Sequence, residues 1–211
     1  MALSMFEEIV LLGLDDATGK CISSYAQYSW KAGVLAELLL GGCIAIRDRD
    51  IDVRCTDTGS DEILAESLAC LRVRQCSVKK ALRLSLAPHG RDRILQRLVG
   101  AGVLEEVENT VLGLFHFRRY PAHGGQVEAE IRGRLREAVD GSVTDHRSLL
   151  LLSIVRGARL EGTFLSKEQR KLLKDRIEEL VAGEPIGRAL RQVIEEEEAA
   201  ATTAAIIAAT S

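Results

Sequence analysis

The chain has 211 residues, 46% hydrophobic and only 4% aromatic, with a net charge of −3. That length and apolar content suffice for one domain with a sizeable core, and so few aromatics mean a core of Leu, Ile, Val and Ala, which favours helices over a β-sandwich. The negative balance by itself argues against a general nucleic-acid binder. No stretch reaches the roughly 18 apolar residues that a membrane span requires, and MALSMFEEIV lacks the basic-then-apolar order of a signal peptide.

Ser4 and Glu7 form an S-x-x-E capping box opening a short helix that runs to Leu14. Asp15 to Gly19 is turn chemistry, and a second helix spans Tyr25 to Leu40, ending at Gly41-Gly42. Cys43–Arg47 and Ile51–Cys55 alternate around Asp48-Arg49-Asp50 as a hairpin. A helix from about Asp61 to Gln75 follows, then a shorter one over Val78 to Leu84, before Pro88-His89-Gly90 breaks the pattern. In 91–99 the apolar Ile94, Leu95, Leu98 and Val99 share a face, with Arg91, Arg93 and Arg97 around the rest. Gly100 and Gly102 stop that helix, and Val103–Val107 with Val111–Phe117 are predicted to pair, turning at Glu108-Asn109-Thr110. After the Pro121–Gly125 loop come an amphipathic helix over Val127–Val139 and a core helix holding Leu149-Leu150-Leu151-Leu152, capped by Thr144. Ser166 and Gln169 cap a helix over Lys167–Val181, and Pro185 opens the last helix. The expected fold is mainly α: a single compact helical domain over 1–211 with two or more β-hairpins at its edge.

No catalytic motif is present, and no enzyme activity, cofactor or metal site is expected. Asp15 and Asp16 read as turn residues, Glu195–Glu198 as a solvated helix face, and His116 and His123 as surface residues. The five cysteines (21, 43, 55, 70, 76) form no CxxC pair and read as reduced thiols. The notable feature is charge distribution. Between Leu71 and Arg97 eight Lys and Arg residues face one acid, Asp92, within an acidic protein. Arg91 falls in the first turn of its helix, where unpaired N–H groups and the dipole favour anions. Leu84 and Leu86 alternate in an apparent connector beside these charges. Basic residues next to exposed leucines suit docking on an anionic bilayer.

Four segments carry a resemblance: FEEIVLLGLDDATGK, KAGVLAELLLGGCIAI, LQRLVGAGVLEEVENTVLGLFHF and HRSLLLLSIVRGARLEGTF. In order and spacing they resemble the Golgi phosphoprotein 3 family, including its yeast vacuolar sorting homologue and the shorter bacterial members. The resemblance implies a mostly helical fold and peripheral membrane binding through phosphatidylinositol 4-phosphate. In eukaryotes it implies residence on the cytosolic face of the Golgi, where family members hold glycosyltransferases by their cytosolic tails together with the COPI coat. Lys31 falls where the family's first pocket arginine sits, Arg91 matches a basic pocket residue and Arg93 a neighbouring arginine. Pro88 replaces the other basic residue, and the pocket tryptophan's position falls near Ile22, whereas the one Trp here is Trp30, beside Lys31. Trp30 could face the membrane or the core. The chain begins directly at its first helix, without the arginine-bearing extension used for coat binding.

The site expected on this reading comprises Lys31, Arg91, Arg93 and Trp30 for a lipid headgroup, with Leu84 and Leu86 inserting shallowly; partners are an anionic phospholipid and the cytosolic tails of membrane enzymes. Two alternatives stay open. Helix, glycine stop and hairpin also describe a winged-helix DNA-binding module using 91–99, with Arg118-Arg119 at the wing. An adaptor gripping acidic protein tails would use the same basic surface. The 103–117 hairpin could also pair with a second copy through its edge.

Overall fold

The structure, a computed structural model, describes residues 3–111, 115–141 and 145–210. The described residues form ten α-helices and two antiparallel strand pairs, a mainly α architecture with hairpins at its edge. Helix α1 (Met5–Leu12) opens where the Glu7 carboxylate accepts the Ser4 N–H at 2.8 Å. It lies against α2 (Ala26–Leu40) so closely that a Cβ on Gly33 would sit 2.5 Å from Phe6 Cα. The leucine run falls in α7 (His146–Gly157), where Leu150, Leu151 and Leu152 are fully buried. An apolar helix must be covered on all sides; α2, α6 (Gln126–Asp140), α9 (Lys174–Val181) and α10 (Pro185–Thr210) surround it. Thr144 lies outside the described residues, and Asp145 caps α7 by accepting the Ser148 N–H at 2.9 Å.

Strands β1 (Ile44–Arg47) and β2 (Asp50–Val53) are joined by Asp48-Arg49, both with positive φ, as a two-residue primed turn requires. The N–H groups of Arg54 and Cys55 both point to the Cys43 carbonyl, at 2.8 and 3.4 Å. Two residues thus oppose one, a bulge-like step, and Cys55 comes within 4.7 Å (Cα–Cα) of Cys43, to which it is disulfide-bonded. This corrects the expectation of five reduced thiols: strand alternation does not reveal which residues face each other across a bulge. Thiol titration of the denatured, unreduced protein should count three, from Cys21, Cys70 and Cys76; a count of five would remove the bridge.

The second hairpin is shifted from the expected register. Gly102 (φ +70°) ends α5 (Gly90–Gly100) with the N–H of Val103 on the Leu98 carbonyl and that of Gly102 on the Val99 carbonyl, a Schellman pair. Val103 and Leu104 are therefore spent on the core, both buried, and Leu104 bridges to Ala122. Strand β3 (Val107–Val111) starts four residues later than predicted and pairs with β4 (Phe115–Arg119), Asn109 opposite Phe117. The predicted turn residues 108–110 lie within β3.

The expected 167–181 helix is two: α8 (Lys167–Leu172) and α9, broken at Leu173. The Ser166–Gln169 capping box is formed, at 2.9 and 3.2 Å.

Candidate functional site

The basic third is carried by α3 (Glu62–Arg74), α4 (Val78–Arg83) and α5. Much of its charge is already answered. Arg93 donates to both carboxylate oxygens of Glu66, at 3.0 and 2.8 Å, and to Glu62 at 2.9 Å. Arg97 holds Asp61 at 2.7 Å, and Asp61 in turn caps α3. From the far end of the chain, Glu196 of α10 pairs with Lys79 and, at 2.9 Å, with Arg83, which also meets Glu197. The glutamate run expected to be a solvated face is thus partly an electrostatic cover for α4, and Glu198 pairs with Arg159 at 2.6 Å. Arg72, Arg74, Lys80 and Arg91 make no ion pair among the described residues.

The expected headgroup residues do not converge on one open site. Trp30 is 5% exposed and forms the floor under α5: a Cβ on Gly90 would lie 2.5 Å from the indole ring. Its core reading is the correct one. Lys31, half-buried beside it, donates to the Leu82 carbonyl at 3.1 Å, with the Tyr28 and Trp30 ring centroids 5.7 and 5.9 Å away. Burial lowers its pKa. The lysine satisfies an orphan carbonyl near the end of α4 and ties α2 to that helix. Arg93 is committed to α3. Arg91 remains: partly exposed, in the first turn of α5, it borders a water-sized crevice with Trp30 and Leu160 on one side. On the other it faces a 570 Å³ cleft between α5 and the second hairpin, with Gln96, Arg118 and Tyr120.

The two insertion residues also need correction. Leu86 is 1% exposed and Leu84 half-buried against the core, because the segment after α4 stays at the surface through Ser85, Pro88 and His89 while its leucines turn inward. Among the described residues the large apolar side chains that do reach solvent are Ile22 (52% exposed), Val73 (85%), Val107 (39%) and Leu172 (83%). Ile22 lines a 470 Å³ cleft with Asp16, Arg132 and Arg159. The sequence reading did not single out Leu172, although in a helix its i±3 and i±4 neighbours, Glu168, Gln169, Asp175 and Arg176, are all polar. A signal was present in KEQRKLLK, whose cations surround it.

Other candidates have structural roles. Asp15 accepts from the Thr18 N–H and hydroxyl, at 2.8 and 2.6 Å, closing the turn, while Asp16 pairs with Arg132. His123 faces Glu105 at 2.5 Å; the side chain of His116 lies outside the described residues. The winged-helix alternative needs Arg93 and Arg97 free to enter a groove, and both are held, Arg93 by Glu62 and Glu66 of α3 and Arg97 by its cap Asp61.

No curated protein matches the chain. A family model described as Golgi phosphoprotein 3 (GPP34) matches residues 5–197, which takes in every element from α1 to the acidic turn of α10. The chain therefore belongs to the Golgi phosphoprotein 3 family.

Proposed function

We propose that this chain is a non-enzymatic peripheral membrane protein that binds phosphatidylinositol 4-phosphate or another anionic phospholipid, with Arg91 as its phosphate contact. The observation that carries the reading is the different fate of the two arginines opening α5. Arg93 is neutralised by Glu62 and Glu66, whereas Arg91 makes no ion pair among the described residues. Family membership supports the lipid class, and residence on the cytosolic face of the Golgi follows if the source has one. In that setting the surface would also serve as an adaptor for cytosolic tails of membrane enzymes. No helix among the described residues is long and apolar enough to cross a membrane, so contact on this reading is interfacial.

On this reading neither Trp30, which lies under α5 beside Arg91, nor Lys31, which is spent on the Leu82 carbonyl, touches lipid. The test is co-sedimentation with vesicles containing phosphatidylinositol 4-phosphate, phosphatidylserine or neutral lipid at physiological salt. Each interfacial cation contributes about 1 kcal/mol, so reversing the charge in Arg91→Glu should weaken phosphoinositide binding by at least about tenfold. Equal pelleting of wild type and variant would remove Arg91 from the reading.

A further inference from the structure

We infer that the cleft enclosed by α7, α8, α9 and α10 is a second anion site, built to bind a small phosphorylated headgroup or sugar phosphate, and that it works independently of Arg91. The cleft holds 570 Å³, within the size range of small-molecule pockets. Seven Lys and Arg side chains line it against two carboxylates, Glu161 and Glu195, in a protein whose net charge is −3.

The cations fall into two sets. Three are fixed: Arg156 is held by the buried Glu161 and, at 2.6 Å, by Glu178, which also accepts from Arg191 at 3.1 Å, and Arg159 is held by Glu198 at 2.6 Å. Lys167, Arg170, Lys171 and Lys174 form the other set, on α8 and the start of α9. All four are exposed and none makes an ion pair or a side-chain hydrogen bond among the described residues. The acid within α8, Glu168, accepts the Ser166 hydroxyl at 3.0 Å. Four unpaired cations within eight residues repel one another, and an anion bound between them relieves that repulsion.

The lining also selects the class of anion. It contains no aromatic side chain, so there is no surface on which a base could stack. Ile177 is its one apolar member, so an acyl chain would find little cover. Guanidinium forks and lysine point charges together suit phosphate oxygens. The phosphate could belong to a soluble molecule or to a lipid headgroup. Leu172, at the break between α8 and α9, is 83% exposed directly beside these cations, which is the arrangement that would meet a bilayer.

The experiment titrates inositol 1,4-bisphosphate into wild type, Arg91→Glu, Lys171→Glu/Lys174→Glu and the triple variant by calorimetry. Lys171 and Lys174 are exposed and unpaired, so thermal midpoints should match wild type. The expected result is that Arg91→Glu retains binding and that adding Lys171→Glu/Lys174→Glu weakens it by at least about tenfold. Loss of all binding in Arg91→Glu, or affinity unaffected by the two lysine reversals, overturns the second site whatever becomes of Arg91. Vesicles containing phosphatidylinositol 4-phosphate then identify the source. If Leu172→Ser lowers pelleting while bisphosphate affinity holds, the site takes a lipid headgroup. If pelleting is unchanged by both Leu172→Ser and the lysine reversals while soluble affinity is lost in the latter, it takes a free phosphate ester.

Discussion

Replacing Gly187 with alanine should lower the thermal midpoint by roughly 6–12 °C. Gly187 is in the first turn of α10, where that helix crosses α7. A Cβ there would lie 2.2 Å from the Ser153 carbonyl oxygen and 2.5 Å from its carbon, and a Cβ on the facing Gly157 would lie 2.4 Å from the Gly187 oxygen. Both obstructions are backbone, so no rotamer change relieves them. The helices must separate instead, loosening Ile186, Leu190, Leu150 and Ile154, all of which are fully buried. Overpacking typically costs about 1–3 kcal/mol. A rigid backbone contact belongs at the upper end, and at this chain length each kcal/mol moves the midpoint by roughly 2–4 °C. Gly133→Ala is the control of opposite sign. A Cβ there meets nothing within 4 Å, so in mid-α6 it should stabilise by about 0.5–1 kcal/mol. Melting curves followed by circular dichroism decide the matter; a Gly187→Ala midpoint within two or so degrees of wild type would mean that α7 and α10 do not touch there.

The second large effect is a pH dependence set by Glu128. Its side chain, in the first turn of α6, is 3% exposed, and burial pushes its pKa from 4.5 up to about 7. Arg132, at 2.6 Å, opposes the shift, while the charges of Asp16 and Asp15 reinforce it. The helix dipole would favour a carboxylate at this position, and burial outweighs it. Because the folded-state pKa lies above the unfolded one, the associated stability is fully present below about pH 4.5 and is lost as pH rises through about 7. At about 1.4 kcal/mol per pH unit the full displacement is worth about 3 kcal/mol. Solvent reaching the Arg132–Asp16 pair screens part of this, so about 2 kcal/mol is expected. Glu128→Gln, a neutral copy of the protonated acid, should therefore gain about 2 kcal/mol relative to wild type between pH 5 and pH 8. Urea unfolding across that interval tests it. Parallel stability curves for the two proteins would show that Glu128 titrates alike in both states.

The functional reading depends on which charges remain after folding. Of eight cations between Leu71 and Arg97, Lys79, Arg83, Arg93 and Arg97 are answered by carboxylates from α3, its cap Asp61 and α10. Glu196 lies more than a hundred residues from Lys79 in the chain, yet it shields α4. A count of local charge therefore overstated how much positive surface is available for lipid, and the less conspicuous KEQRKLLK segment keeps four cations free. Both surfaces are testable with charge reversals that leave the core untouched.

Much of the architecture was legible without coordinates. Capping boxes at Ser4 and Ser166, the Gly102 stop, Pro185 at a helix start and the apolar run in α7 are local rules of backbone hydrogen bonding and side-chain period, and these follow from a few neighbouring residues. The family followed from the order of four such segments. What lay beyond the sequence shares one physical cause: each case depends on a partner distant in the chain. Cys55 reaches Cys43 through a bulge, Val103 and Leu104 join the core instead of β3, Leu86 turns inward, Lys31 finds the Leu82 carbonyl, and Trp30 lies under Gly90. Sequence determined which segments are helices and how they begin and end; only tertiary packing decided which side chains those helices leave for a ligand. Burial and ion pairing are properties of the assembled surface, and no single stretch of chain carries them.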